Sequence, residues 1–141
     1  MDKFSIEVFY IAFSKIVKMF KSYAQKELKK YNLSPNEVEV ISCLDYKSTS
    51  SEIAREVNVS KALVSRSVKL LSKKNYIYVE PNPVDKREFV IKLTDSGKEI
   101  SDAIKRVKKN FAEKAFKEFG EEEFTVLKAL INLIIINITK N

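Results

Sequence analysis

The sequence predicts a mostly α, α+β domain with a single β-hairpin, on three observations. Two Gly and three Pro in 141 residues leave few tight turns, which favours long helices with short connections over an all-β architecture. Apolar residues recur at spacings of three and four along most of the chain. The pattern changes at Tyr76-Ile77-Tyr78-Val79 and at Glu88 to Leu93, where β-branched and aromatic residues flank a turn rich in Pro and Asn.

Composition narrows the function classes. At 141 residues, with 45% hydrophobic and 32% charged, the chain fits one soluble domain with a real core. It has no His and one Cys, which removes the commonest metal ligand, the commonest general base and any intramolecular disulfide. No carboxylate pair or Gly-rich phosphate loop is recognisable either, so no catalytic residue, metal or cofactor is expected. Val8 to Phe13 and Leu133 to Ile136 are the longest apolar runs, too short to span a bilayer, and Glu7 without a small-residue cleavage site argues against a signal peptide. A cytoplasmic protein is the expectation.

Residues 5 to 31 read as one long helix, with Phe9, Phe13, Ile16, Phe20, Tyr23 and Ala24 on one face. That aromatic face fits either a core stripe or, for Phe9, Phe13 and Phe20, the wall of a small-molecule pocket. Ser34-Pro35-Asn36-Glu37 starts a second helix, running to about Tyr46, with Ser34 as N-cap, Pro35 at N1 and Glu37 closing a capping box. Cys43 lies on its apolar side and reads as a buried filler.

Thr49-Ser50-Ser51-Glu52 repeats the capping-box pattern and opens a short helix. Asn58 tolerates the left-handed turn out of it, Val59 plugs the corner and Ser60 caps the next helix. Helix, sharp turn, helix is the result. In the second of these helices, Leu63, Val64, Val68, Leu70 and Leu71 share a broad face with Ser67. Lys61, Ala62, Ser65, Arg66, Lys69, Ser72 and Lys73 take the other.

Net charge is +7 with a pI near 9.4, and its distribution says more than its size. Ser60 to Asn75 holds five bases and no acid. A helix made soluble by ion pairs mixes signs four residues apart, so this acid-free face suggests an anionic partner outside the chain, with DNA the leading candidate.

Asn75 supplies another left-handed cap, and the strands after it form a hairpin, or wing, with Phe89, Ile91 and Leu93 on one side. Its tip carries Lys86 and Arg87, with Asp85 placed to bond the turn backbone or to hold Arg87. Thr94 caps a helix running to about Phe119, Gly120 breaks it, and a last helix from Glu121 carries Phe124, Leu127, Ile131, Ile134 and Ile138. Leu133 to Ile136 is apolar all round, so a partner chain is expected to cover it.

Asp85-x-Arg87, followed after five residues by Leu93-Thr94 and then Gly97, resembles the multiple-antibiotic-resistance-regulator (MarR) family of winged helix-turn-helix transcription factors. Leu33-Ser34, Glu37-Val38, Glu52-Ile53-Ala54, Ser65-Arg66 and Leu71 add to the likeness, which covers nearly the whole chain. The resemblance implies a winged helix-turn-helix with a two-stranded wing and long terminal dimerisation helices. Residues 1–141 would form one domain, 34–97 facing double-stranded DNA and 1–33 with 98–141 forming a homodimer.

The same resemblance implies a repressor on a pseudo-palindromic operator, with the basic helix in the major groove and Arg87 in the minor groove. Release by a small aromatic or anionic effector, in the cleft between the first helix and the winged region, is a further expectation. By side-chain chemistry Ser60, Lys61, Ala62, Ser65 and Arg66 lie near the helix start, with Lys61, Ser65 and Arg66 suited to base edges; Lys69 and Lys73 suit phosphates, and Lys86 flanks Arg87 on the wing. Family members usually have Gly at the Asn75 position, and polar residues at those of Leu63 and Leu70. A protein-interaction adaptor whose basic helix grips an acidic partner is the alternative.

Overall fold

The computed structural model describes residues 2–57 and 59–140, omitting the side chain of Phe4. The expected left-handed turn at Asn58 falls outside the described residues. Helices α1 (Lys3–Glu27), α2 (Pro35–Cys43), α3 (Ser50–Val57) and α4 (Lys61–Lys73) precede an antiparallel pair, β1 (Ile77–Pro81) and β2 (Phe89–Leu93). Helices α5 (Asp95–Ala115) and α6 (Glu121–Thr139) follow. The chain divides into two compact units, residues 1–108 and 109–141.

Most helix starts are built as the sequence predicts. Ser34 Oγ accepts the Glu37 N–H at 3.2 Å while Glu37 Oε1 accepts the Ser34 N–H at 2.9 Å. Thr49 and Glu52 form the same reciprocal pair. Ser60 Oγ accepts the Leu63 N–H at 3.2 Å, opening α4. Each satisfies donors that a helix start leaves without intrahelical partners.

Helix ends differ more from expectation. α1 stops at Glu27 and gives way to a 3-10 turn at Lys29–Tyr31, closed by Asn32 with φ 52°. α2 ends at Cys43, three residues early, where its carbonyl accepts both the Tyr46 and Lys47 N–H groups. α5 ends at Ala115 instead of about Phe119, and the left-handed residue there is Glu118, φ 73°, while Gly120 is extended and leads into α6. Asn75 is left-handed, φ 62°, as predicted.

The core of the first unit gathers Val40, Ile41, Ile53, Val64, Leu71, Ile77, Ile91, Ile100 and Ile104. Cys43 is buried among them, as a filler would be. The hairpin register pairs Ile77 with Leu93 and Val79 with Ile91. Of the three β2 residues expected on one side, Ile91 is buried and Leu93 half-buried, but Phe89 is exposed because the core ends short of the wing tip. Residues before α3 extend the sheet edge: the Ile91 N–H donates to the Ser48 carbonyl at 2.8 Å, and Thr49 bridges Val90.

In the second unit no residue of α6 is buried; Leu130, Ile131, Leu133, Ile134, Ile135 and Ile136 are all exposed. Phe116, Phe119 and Phe124 meet edge to face, with ring centroids 5.2–5.3 Å apart. No helix among the described residues is long and apolar enough to cross a membrane.

Candidate nucleic-acid interface

Helix α4 presents its two faces nearly as its periodicity requires. Val64, Ser67 and Leu71 are buried and Leu63 and Val68 half-buried, while Lys61, Ala62, Ser65, Arg66, Lys69, Ser72 and Lys73 are exposed, as is the cap Ser60. Leu70 departs from the pattern. It stands on the edge of the apolar face, 42% exposed, where the core no longer reaches.

Among the described residues, Lys61, Arg66, Lys69 and Lys73 form no ion pair within the chain; its salt bridges lie elsewhere. A row of cations without intrachain acids repels itself and favours an anion, the electrostatic requirement for gripping a phosphate backbone. Lys74 behaves differently. Its Nζ lies 2.9 Å and 3.1 Å from the two carboxylate oxygens of Glu37 and 2.7 Å from the Asn32 carbonyl. Sequence reasoning grouped it with its basic neighbours, since no local signal marks a partner 37 residues away.

At the wing, Asp85 does both things expected of it. Its Oδ1 accepts the Arg87 N–H at 3.0 Å and the Arg87 Nε–H at 3.2 Å, and Oδ2 lies 3.4 Å from Nη2. The Arg87 guanidinium beside it holds the Asp85 carboxyl below its usual range. The Arg87 side chain nevertheless stays 90% exposed, aimed but not covered. Lys86 is exposed beside it. Asn82 completes the turn, its Oδ1 accepting the Val84 N–H at 2.9 Å and the Asp85 N–H at 3.3 Å. Both α4 and the wing belong to the first unit.

The aromatic side of α1 is placed otherwise than a single pocket would need. Phe9 and Phe13 are exposed and stack on each other, centroids 5.9 Å apart. Phe20, two turns on, lines a cavity of about 100 Å³ with Leu28, Leu33, Pro35 and Val38. No group of His, Cys, Asp and Glu among the described residues could hold a metal ion.

Residues 31–88, which contain the capped α2, the helix pair and the wing tip, match the model of the MarR family. Over those residues the chain belongs to the MarR family. This MarR-family chain is 29% identical over 119 residues to the HTH-type transcriptional regulator BilQ of Clostridioides difficile (strain CD3), spanning 83% of this chain and 80% of that one. Its fold is similar to a MarR transcriptional regulator from Methanosarcina mazei Go1, with TM-score 0.80 at 16% identity over 93% of this chain and 96% of that one. It is similar also to S. aureus MepR in a DNA complex, with TM-score 0.78 at 22% identity over 91% and 96%. The MarR-family chain is a transcriptional regulator, not an enzyme.

Proposed function

We propose that the chain binds double-stranded DNA sequence-specifically, as a homodimer on a pseudo-palindromic operator, and represses transcription until a small aromatic or anionic effector releases it. The observation that carries this reading is the exposed face of α4, where Lys61, Arg66, Lys69 and Lys73 have no acid to pair with among the described residues. Arg66 has the fork that matches guanine O6 and N7, and Ser65 is small enough to let a base edge approach. Lys69 and Lys73 take phosphates, which position without specifying. Arg87 and Lys86 take the minor groove beside the helix.

In this reading residues 34–97 face the DNA, and 1–33 with 98–141 supply the dimer contacts. The exposed apolar residues of α6 support a partner chain, since apolar surface of that extent is costly to leave in water. The effector's place in this reading is the cavity that Phe20 lines with Leu28, Leu33, Pro35 and Val38, and Phe9 and Phe13 lie outside it. The protein works in the cytoplasm.

Selection of bound duplexes from a random pool tests the reading. The expected result is a two-fold symmetric site whose half-sites lie one helical turn apart, bound with an affinity that falls steeply with salt. Retention of no duplex at low salt would favour a protein-interaction adaptor gripping an acidic partner.

A further inference from the structure

Of the five bases between Ser60 and Asn75, Lys74 alone is ion-paired among the described residues. Its ammonium has three N–H donors, and three acceptors surround it: both oxygens of Glu37 and the Asn32 carbonyl. The Glu37 side chain is 3% exposed and that of Lys74 30%, so this is a largely buried pair. Both anchor points are themselves fixed. Glu37 is held by its capping box with Ser34, and Asn32 sits in the left-handed turn that ends the α1 segment.

We propose that Lys74 is a positioning residue for DNA recognition. By tying the C-terminal end of α4 to the corner between α1 and α2, it sets the angle at which the helix meets a duplex, and thereby sequence preference more than general affinity. The inference rests on the DNA-reading function proposed above. Its physical basis is direction. A buried ion pair adds little net stability over apolar residues of the same volume, because both ions must be desolvated, yet its hydrogen bonds fix orientation where apolar contacts do not. Val64, Ser67 and Leu71 bury one face of α4 in the core, and Lys74 adds a directed, hydrogen-bonded tie at the helix's C-terminal end. A small swing at Lys74 moves the opposite end, where Lys61 and Ser65 stand, because a thirteen-residue helix is a rigid rod of about 20 Å.

The test uses full-length Lys74→Met and Glu37→Gln, both close to the original volume, with Gln keeping an oxygen for the Ser34 N–H. Binding is measured to the duplex selected from a random pool by the wild-type chain and to a scrambled duplex, across a salt series. Each variant is expected to lose about tenfold on the selected duplex and under about twofold on the scrambled one, with the salt slope unchanged. Lys74→Arg should recover part of the preference. Glu37→Gln is the decisive arm, because it makes the protein more positive and simple electrostatics would tighten both complexes.

Equal weakening on both duplexes by Lys74→Met, with the slope reduced by about one, would mark a phosphate contact and overturn the proposal. So would a wild-type preference in Glu37→Gln. Should a single variant not fold, the double variant Lys74→Met with Glu37→Gln leaves no unpaired buried charge, and its preference is read in the same way. A wild-type chain that selects no sequence sinks the DNA-reading function and the proposal with it. Selection by the wild type with unchanged preference in the variants sinks the proposal alone.

Discussion

The Cα of Gly97 lies against the carbonyl oxygen of Tyr76, so closely that a Cβ on Gly97 would overlap that oxygen. The same oxygen accepts the Thr94 N–H at 3.1 Å, while Thr94 Oγ1 donates to the Asn75 carbonyl at 2.7 Å and accepts the Gly97 N–H at 3.1 Å. The start of α5 is thus locked to the corner where α4 gives way to the wing, and the Leu93-Thr94-x-x-Gly97 spacing acquires a steric reason.

Gly97→Ala is therefore expected to destabilise the protein by about 1–3 kcal/mol through overpacking against backbone that cannot yield. Urea unfolding measures it. A loss within experimental error would mean that the two segments separate freely.

The cationic residues should divide into two behaviours. Arg66→Ala and Arg87→Ala are each expected to cost about 1–3 kcal/mol on the selected duplex and to relax base preference at one position. Lys69→Ala and Lys73→Ala should weaken all duplexes alike and lower the salt slope by about one each. Fluorescence anisotropy on point-substituted duplexes separates these outcomes.

Glu37 should make stability sensitive to acid. Burial raises the pKa of its carboxyl, but hydrogen bonds from the Ser34 N–H and Lys74 overcome that and leave it below its ordinary value of 4.5. A carboxyl depressed on folding contributes stability above its unfolded pKa and loses that contribution as pH falls through the folded one. From about pH 6 to about pH 3, the wild type should lose more unfolding free energy than Glu37→Gln does. Parallel pH profiles would contradict this.

The apolar surface of α6 predicts self-association. Sedimentation velocity should find the wild type as a dimer, and Ile131→Glu with Ile134→Glu should shift it to monomer by placing charge in the seam. An unchanged dimer in that variant would put the contacts elsewhere.

Cys43 should be inert. Burial pushes its thiol up, and only 2% of the residue is exposed, so little reactive thiolate meets solvent. Alkylation by iodoacetamide is expected to be slow in the native protein and fast in denaturant.

Features decided by near neighbours were legible in the sequence. Capping boxes at Ser34 and Thr49, the Ser60 cap, the left-handed Asn75 and the cationic side of α4 all depend on residues within about four positions. The Asp85–Arg87 contact is equally short in range. The ends of α1, α2 and α5 were less legible, since a helix stops where competing hydrogen bonds take over, as at the Cys43 carbonyl.

A winged helix-turn-helix with a basic, acid-free helix face is thus written into the chain locally, because periodicity and caps depend on near neighbours. Which cations remain available is settled by long-range packing. Packing assigns Lys74 to Glu37 and leaves Lys73 free of any intrachain acid among the described residues, although the two lysines are adjacent and chemically identical. It also left Leu70 at the edge of the core, drew Ser48 and Thr49 to the wing, and required Gly97 beside Tyr76. Each of these depends on a partner many residues away, and only packing of the core fixes which distant group a side chain meets.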